Sequence, residues 1–188
     1  MTRDNAVDML MEQELDIKLV REIFDEFKDN MEIVGMVAMN VSRKCSVYDK
    51  EQGKSDNMIA LLEELSTVDD MGARWAVAKN HFTSVEILER LANDEINLVR
   101  ALVATNPNTP VAVLNKLFSD EKIVRDGLSG NANTPLKLLK VLASDSDKMV
   151  RLRVVDNPSA TKELLATMLE DTEKDILKAI EIRLGEMA

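Results

Sequence analysis

The sequence predicts an all-α fold in which about four to five two-helix repeats of 25–26 residues stack between helical caps, as an α-solenoid. One observation is compositional: one Trp, one Tyr, four Phe, six Gly and four Pro in 188 residues are too few aromatic and turn residues for an ordinary β-sandwich or barrel. Charged residues make up 31% of the chain, and Leu, Met, Ala and Glu are abundant, which favours soluble helices. The deciding observation is an internal repeat of four copies.

Four segments share an arginine at their second position and an asparagine at their eighth. The asparagines are 26, 25 and 26 residues apart, and after each segment comes a second block with a pair of leucine-type residues and a closing aspartate. The matching positions are the segments 73–80, 99–106, 124–131 and 150–157, the pairs Leu88/Leu91, Leu114/Leu117, Leu139/Leu142 and Leu165/Met168, and the aspartates Asp94, Asp120, Asp145 and Asp171.

The first block of each repeat is predicted to be a helix. In the fullest copy Val99, Leu102 and Val103 lie on one helical face. Asn106-Pro107 and Asn157-Pro158 end this helix in two repeats, because proline disfavours α geometry in the residue before it.

The second block is predicted to be a helix that begins at a hydroxyl cap. Thr109-Pro110 and Thr134-Pro135 place an N-cap hydroxyl before a proline at the first helical position. Thr83 and Glu86 form a capping box at the equivalent place. One such helix pair cannot bury its apolar face alone, so neighbouring pairs must stack.

Residues 1–57 are predicted to hold an N-terminal helical cap, a degenerate first repeat and a polar insertion, before the repeats of residues 58–188. On the cap helix apolar residues recur every fourth position, and the degenerate copy has its own asparagine and leucine pair. The insertion, residues 41–57, is polar and is expected to be an exposed loop. The positions concerned are Leu15, Leu19, Ile23 and Phe27 for the cap, and Val37, Asn40, Leu62 and Leu65 for the degenerate copy.

A C-terminal capping helix is expected after the last repeat. Ile176, Ala179 and Ile180 repeat the spacing of the first block. Glu181 stands where the repeats have a small residue, which suggests a face without a further neighbour; the small residues are Ala78, Ala104 and Ser129.

The repeat motif resembles that of the variant leucine-rich repeats, which are close in architecture to HEAT and armadillo repeats. The resemblance covers residues 73–171 and is fullest from Val99 to Asp120. It implies a right-handed superhelix of two helix layers, one α-helical and one for which 3₁₀ geometry is an alternative. Some family members carry an iron–sulfur cluster on several cysteines, and since this chain has only Cys45, no cofactor is carried over.

The repeated arginines are the first candidate binding residues: Arg74, Arg100, Arg125 and Arg151. The structural interpretation, which we favour, is that each guanidinium pairs with a turn aspartate or with helix-end carbonyls. The functional alternative is an anion-binding stripe for phosphates or an acidic peptide. The repeated asparagines are expected to satisfy backbone groups in their own turn and to tolerate unusual backbone angles.

Trp75 is the second kind of candidate, because it lies at a position that varies between repeats. Taking Val99 and Val103 as the inward direction places Ala101, Trp75 and Leu152 outward at equivalent positions, and Lys79 at the next outward position. Interface hot spots favour Trp. Alternatively, the insertion or the N-terminal helix folds over Trp75, and the sequence does not decide between the two.

No catalytic or metal-binding constellation is recognisable in the sequence. His81 is the only histidine and has no second ligand at metal spacing. Cys45 lies beside Arg43 and Lys44 but lacks a positioned base. We therefore expect no enzyme activity, no metal and no cofactor.

The charge distribution bears on the partner. Residues 1–94 carry 11 basic and 20 acidic groups, and the whole chain has a net charge of −10, which disfavours binding to nucleic acid. No signal peptide or membrane span is recognisable, so a cytoplasmic location is expected.

The sequence thus predicts a non-enzymatic scaffold for protein–protein interaction, with an unidentified protein partner and an undetermined oligomeric state. One alternative is a nucleic-acid-associated helical-repeat protein, similar to the HEAT-like alkylpurine DNA glycosylases, that uses the arginines. Another is an acidic inhibitor that occupies the nucleic-acid site of a basic protein through residues 1–30.

Overall fold

The computed structural model describes residues 1–12, 15–44 and 50–187, and within these ranges every helix is α-helical and there is no strand. The predicted all-α repeat fold is confirmed, and both helices of each repeat are α-helices. The right-handed sense of the stack stays a prediction. Cys45, and with it the middle of the predicted insertion, lies outside the described residues.

The chain forms two compact units, Met1–Val99 and Arg100–Ala188, here called the N-terminal unit and the C-terminal unit. The division falls inside helix α8 (Asn97–Thr105). The predicted division after residue 57 separates the N-terminal cap from the sequence repeats, whereas the observed division separates two compact units. The predicted division stays a prediction.

In the N-terminal unit, helices α1, α3 and α6 pack side by side, and α2 packs against α3 and α5. The short α4 packs on α5, and α7 follows α6. The helices are α1 (Arg3–Met11), α2 (Ile17–Phe27), α3 (Met31–Arg43), α4 (Lys50–Gly53), α5 (Asp56–Leu65), α6 (Met71–Lys79) and α7 (Val85–Leu91).

In the C-terminal unit, helices α10, α12 and α14 pack side by side, while α9, α11 and α13 each pack against the first helix of the next repeat. The helices are α9 (Val111–Leu117), α10 (Lys122–Gly130), α11 (Leu136–Leu142), α12 (Lys148–Asp156), α13 (Lys162–Thr167) and α14 (Lys174–Glu186). The predicted capping helix is α14, with Ile176 and Ile180 buried and Glu181 exposed.

The core is formed by the repeated apolar positions. All eight residues of the leucine-type pairs are at most 4% exposed, and Val99 and Val103 are fully buried. Burial of a leucine side chain contributes about 1.5–3 kcal/mol, so these pairs supply much of the stability of each repeat.

The predicted apolar stripe of the N-terminal helix is partly wrong. Leu15 is buried but precedes α2, and Leu19 and Phe27 are only half-buried. Of the predicted positions only Ile23 is buried within α2, where it lies with Ile17, Val20 and Phe24. The reason is geometric: residues four apart advance by about 400° around a helix, so a strict four-residue spacing rotates away from the core.

The predicted hydroxyl caps of the second helices are wrong by one residue. Helix α9 begins at Val111 after Pro110, and Ser84, not Thr83, caps α7. The threonine hydroxyls donate instead to carbonyl oxygens six residues earlier, in the preceding first helix, and lie 2.5–2.6 Å from them. The pairs are Thr83 to Val77, Thr109 to Val103, and Thr134 to Leu128.

The described part of the predicted insertion is helical at both ends. Helix α3 continues to Arg43, and α4 packs so closely on the Phe82 ring that a Cβ atom at Gly53 would overlap it. Gln52 accepts a hydrogen bond from the backbone N–H of Ile17 at 3.2 Å, which fixes α4 beside the start of α2.

Candidate functional site

Each repeated arginine forms a two-pronged ion pair with the aspartate that closes its own repeat, twenty residues later. The Nε atom lies 2.6–2.7 Å from one carboxylate oxygen, and Nη2 lies 2.8–3.3 Å from the other. The pairs are Arg74–Asp94, Arg100–Asp120, Arg125–Asp145 and Arg151–Asp171. The predicted pairing of each guanidinium with a turn aspartate is confirmed.

The remaining Nη1 donors of these arginines are also engaged in the turns. Arg74 donates to the Val68 carbonyl at 3.1 Å, Arg125 to Asp120 at 3.0 Å, and Arg151 to Asp145 at 2.8 Å. A guanidinium held in this way joins the preceding turn, its own helix and the end of its repeat. It presents few donors to an external phosphate.

The ion pairs shift the ionisation of the aspartates. Hydrogen bonds from Arg100 and Arg151 lower the pKa of Asp120 and Asp171. Burial by itself would raise the pKa of Asp145, but hydrogen bonds from Arg125 and from the Asp147 backbone outweigh it, so this pKa is also lowered. These carboxylates therefore stay charged at neutral pH and hold the arginines in place.

The repeated asparagines link neighbouring repeats, which the sequence did not predict. The Asn131 amide donates to the carbonyls of Ala104 and Asn106 at 2.7 and 2.9 Å, and the Asn157 amide donates to Ser129 and Asn131 at the same two distances. Their backbone angles are ordinary extended ones, so the predicted tolerance of unusual angles is not used. These side chains are at most 4% exposed and serve the fold.

Asparagine side chains also join neighbouring helices in the N-terminal unit, including the degenerate first repeat. Asn80 donates to the Val41 carbonyl at 3.2 Å, and Asn40 donates to the Leu10 carbonyl at 2.9 Å. Helix α1, which ends at Met11, therefore takes the place of a first helix in a preceding repeat. The predicted cap is thus a helix pair, α1 and α2.

The position predicted to face outward lies instead in the grooves between adjacent first helices. Ala101 is 8% exposed, while Trp75 and Leu152 are half-buried. At the equivalent position Asp126 pairs with Arg153 of the next first helix at 3.2 Å. The outward prediction fails because first helices flank one another, as α3 flanks α6 and as α10 and α14 flank α12, so that only a narrow strip of such a helix faces solvent.

That strip carries apolar residues that the sequence analysis missed. Leu98, Ile123 and Met149 are 38–42% exposed and stand just before the repeated segment in three repeats. The sequence feature that could have identified them is an apolar residue two positions before each of three repeated arginines.

Trp75 lies in an apolar groove of about 190 Å³ between α3 and α6, both in the N-terminal unit. The indole faces small and flexible residues: the groove is lined by Gly35, Ala38, Met39, Ser42, Gly72, Trp75 and Ala76. A Cβ atom at Gly35 would meet nothing within 4 Å, so the groove is not filled by the fold. The element that lies beside Trp75 is thus α3, whereas α4 of the insertion contacts Phe82.

This groove could have been predicted by aligning the repeats on their asparagines. Gly35 and Trp75 both stand five residues before the asparagine of their repeat, Asn40 and Asn80. A glycine opposite a tryptophan in adjacent helices leaves space beside the indole ring.

Two cations flank the groove. Lys79 lies with Nζ 5.1 Å from the centroid of the Trp75 ring, a cation–π contact. Arg43 lies with Nη2 3.5 Å from the sulfur of Met39, on the opposite wall. The structure therefore brings the predicted residues Trp75 and Lys79 together. It turns Arg74 of the same helix away to Asp94, and Leu152, on α12, does not line this groove.

The described residues contain no cluster of three or more His, Cys, Asp or Glu side chains arranged to hold a metal ion. In the same part of the chain, no helix combines the length and apolar character needed to cross a bilayer.

The resemblance to variant leucine-rich repeats rests on the repeat motif. No protein-family model, curated protein or solved structure matches the chain. Membership of that family stays a prediction, and the function has to be inferred from the geometry of the site.

Proposed function

We propose that this protein is a non-enzymatic scaffold that binds a protein partner through the Trp75 groove. The observation that carries the proposal is the half-buried Trp75 in an apolar groove that no side chain of the described residues fills. Tryptophan is enriched among residues that dominate binding energy, and methionine adapts its shape to different partners. Met31, Met39 and Met71 are 45–57% exposed on α3 and α6, the helices that form the groove.

The nucleic-acid alternative has less support. It needs free guanidinium groups, whereas the four repeated arginines bind aspartates through two nitrogens each. The net charge of −10 also opposes binding to phosphates. The proposal keeps the cytoplasmic location expected from the sequence.

The first prediction is that Trp75→Ala weakens partner binding by roughly 2 kcal/mol or more. Immobilised wild-type chain and variant are incubated with the same cell extract, and captured proteins are quantified by mass spectrometry. At least one protein should be depleted about thirtyfold or more on the variant when the bait is limiting, as 1.4 kcal/mol corresponds to tenfold.

Two controls accompany this measurement. Val141→Ala removes an apolar side chain that is 55% exposed on α11 and should leave capture unchanged. Gly35→Leu fills the groove without altering Trp75 and should reduce capture as Trp75→Ala does. Identical capture by wild type, Trp75→Ala and Gly35→Leu, with unchanged circular dichroism, contradicts the proposed function.

A further inference from the structure

We propose that the Trp75 groove receives one apolar side chain of an acidic peptide segment, whose carboxylates pair with Arg43 and Lys79; this inference rests on the proposed function. It specifies the chemistry of the partner: an apolar anchor with Asp or Glu residues beside it.

The size of the groove favours a side chain over a small molecule. Small-molecule sites commonly measure about 300–1,000 Å³. The groove measures about 190 Å³ and is lined mostly by apolar atoms of Gly, Ala, Met and Trp residues. A single leucine, methionine or phenylalanine side chain of a partner is the kind of group that such a groove accommodates.

The charges at the groove favour an acidic segment. Among the described residues no carboxylate lies within ion-pair distance of Arg43 or Lys79. Other cations of the N-terminal unit are already engaged, such as Arg21 with Asp25 and Glu64, and Arg90 with Glu63. Arg43 and Lys79 are thus available to an external anion, in a part of the chain that is otherwise strongly acidic.

The two ends of the groove differ in charge. Glu32 and Asp70 stand at the N-terminal ends of α3 and α6, where Glu32 pairs with Arg3 and Asp70 caps α6. Arg43 and Lys79 stand at the C-terminal ends of the same helices. The carboxylates of the peptide should therefore lie at the Arg43–Lys79 end, because the carboxylates at the other end already take the available cation and helix N–H donors there.

A purely structural role for the two cations is the competing explanation. Cations in the last turn of a helix offset the partial negative charge of its C-terminus, typically by 0.3–1 kcal/mol. That role predicts a small loss of stability in the Arg43→Gln, Lys79→Gln variant and no effect on peptide selectivity.

The experiment uses the full chain as bait for short random peptides displayed on phage, with Trp75→Ala and Gly35→Leu as parallel baits. Peptides enriched on wild type but on neither variant are synthesised, and their binding is titrated by fluorescence. Trp75 is the single tryptophan of the chain, so its emission reports on the groove directly.

We expect the enriched peptides to share an apolar residue adjacent to Asp or Glu. The double variant Arg43→Gln, Lys79→Gln should bind them roughly fivefold more weakly, since it removes two exposed charge pairs, and should lose most of the salt dependence. The matched control Lys137→Gln, Lys140→Gln removes two exposed lysines of α11 and should bind as wild type.

The other outcomes separate the two proposals. If the groove-dependent peptides are neutral or basic, or if the double variant binds acidic ones as wild type does, the inference is wrong and the proposed function stands. If no peptide depends on Trp75 and Gly35, both are wrong.

Discussion

At the scale of single residues, the buried asparagine amides join neighbouring repeats by hydrogen bonds. The Asn131 side chain donates to two backbone carbonyls of the preceding repeat and accepts from the Asn133 backbone N–H at 2.8 Å. It thereby supplies a donor to the Ala104 carbonyl at the end of α8, and a second donor to the Asn106 carbonyl, which also accepts from the Thr109 backbone N–H at 3.1 Å. An aliphatic residue of similar size fills the same space but removes the donor of the Ala104 carbonyl.

We expect Asn131→Ala to lower the free energy of unfolding by about 1–3 kcal/mol, because the Ala104 carbonyl loses its donor. Urea unfolding followed by circular dichroism measures this. Asn115→Ala is the matched control: Asn115 is exposed and bonds only within its own helix, so its change should stay within about 0.5 kcal/mol. Equal effects of the two substitutions would show that the link between repeats contributes nothing.

At the scale of helices, close packing between neighbours depends on small residues at particular positions. Gly127 on α10 approaches α8 so closely that a Cβ atom there would lie 2.8 Å from the Ala101 carbonyl oxygen. Gly130, three residues later on the same helix, is exposed, and a Cβ atom there would lie 3.5 Å from the Arg153 side chain, an ordinary contact.

We therefore expect Gly127→Ala and Gly130→Ala to have opposite effects on the melting temperature. The first forces backbone apart and should destabilise by about 1–3 kcal/mol, which exceeds the gain of about 1 kcal/mol in helix propensity. The second should be neutral or stabilising by up to about 1 kcal/mol. Differential scanning calorimetry compares them, and a stabilised Gly127→Ala variant contradicts this account of the packing.

The helices and the arginine–aspartate pairs could be predicted from the sequence, because both recur at fixed offsets along one chain. The threonine bonds and the asparagine links could not, since a hydroxyl or amide in a turn has several possible partners and only the packing chooses between them. Trp75 was placed outward because a helical wheel defines one inward direction, whereas first helices in a stack also flank one another, as α3 flanks α6. The groove itself depends on Gly35 and Met39 from a degenerate repeat that matches the motif poorly.

At the scale of the whole molecule, stability should depend on acid through the lowered pKa values of Asp120, Asp145 and Asp171. A carboxylate with a lowered pKa in the folded state stabilises the fold above the unfolded value of about 3.9 and loses that contribution as the pH falls through the folded value. We expect the melting temperature to fall steeply below about pH 4.

The variant Asp171→Asn tests the source of this dependence. At pH 7 it should destabilise by about 1–3 kcal/mol, because Arg151 loses a charged partner, and its further loss of stability on acidification should be smaller than that of the wild type. Glu170→Gln alters an exposed neighbour and should follow the wild-type curve. If the stability of Asp171→Asn and that of the wild type fell in parallel as the pH is lowered, Asp171 would not be a source of the acid dependence.

The span of the repeated bonds has a consequence for how such a chain can change its length. Each arginine reaches an aspartate within its own repeat, and Asn131 and Asn157 reach only the repeat immediately before. A tandem duplication of residues 132–157 therefore brings its own partners for both kinds of bond and leaves none of the existing ones broken. We therefore expect a chain with this duplication to fold with one more repeat and to keep the groove at Trp75 unchanged.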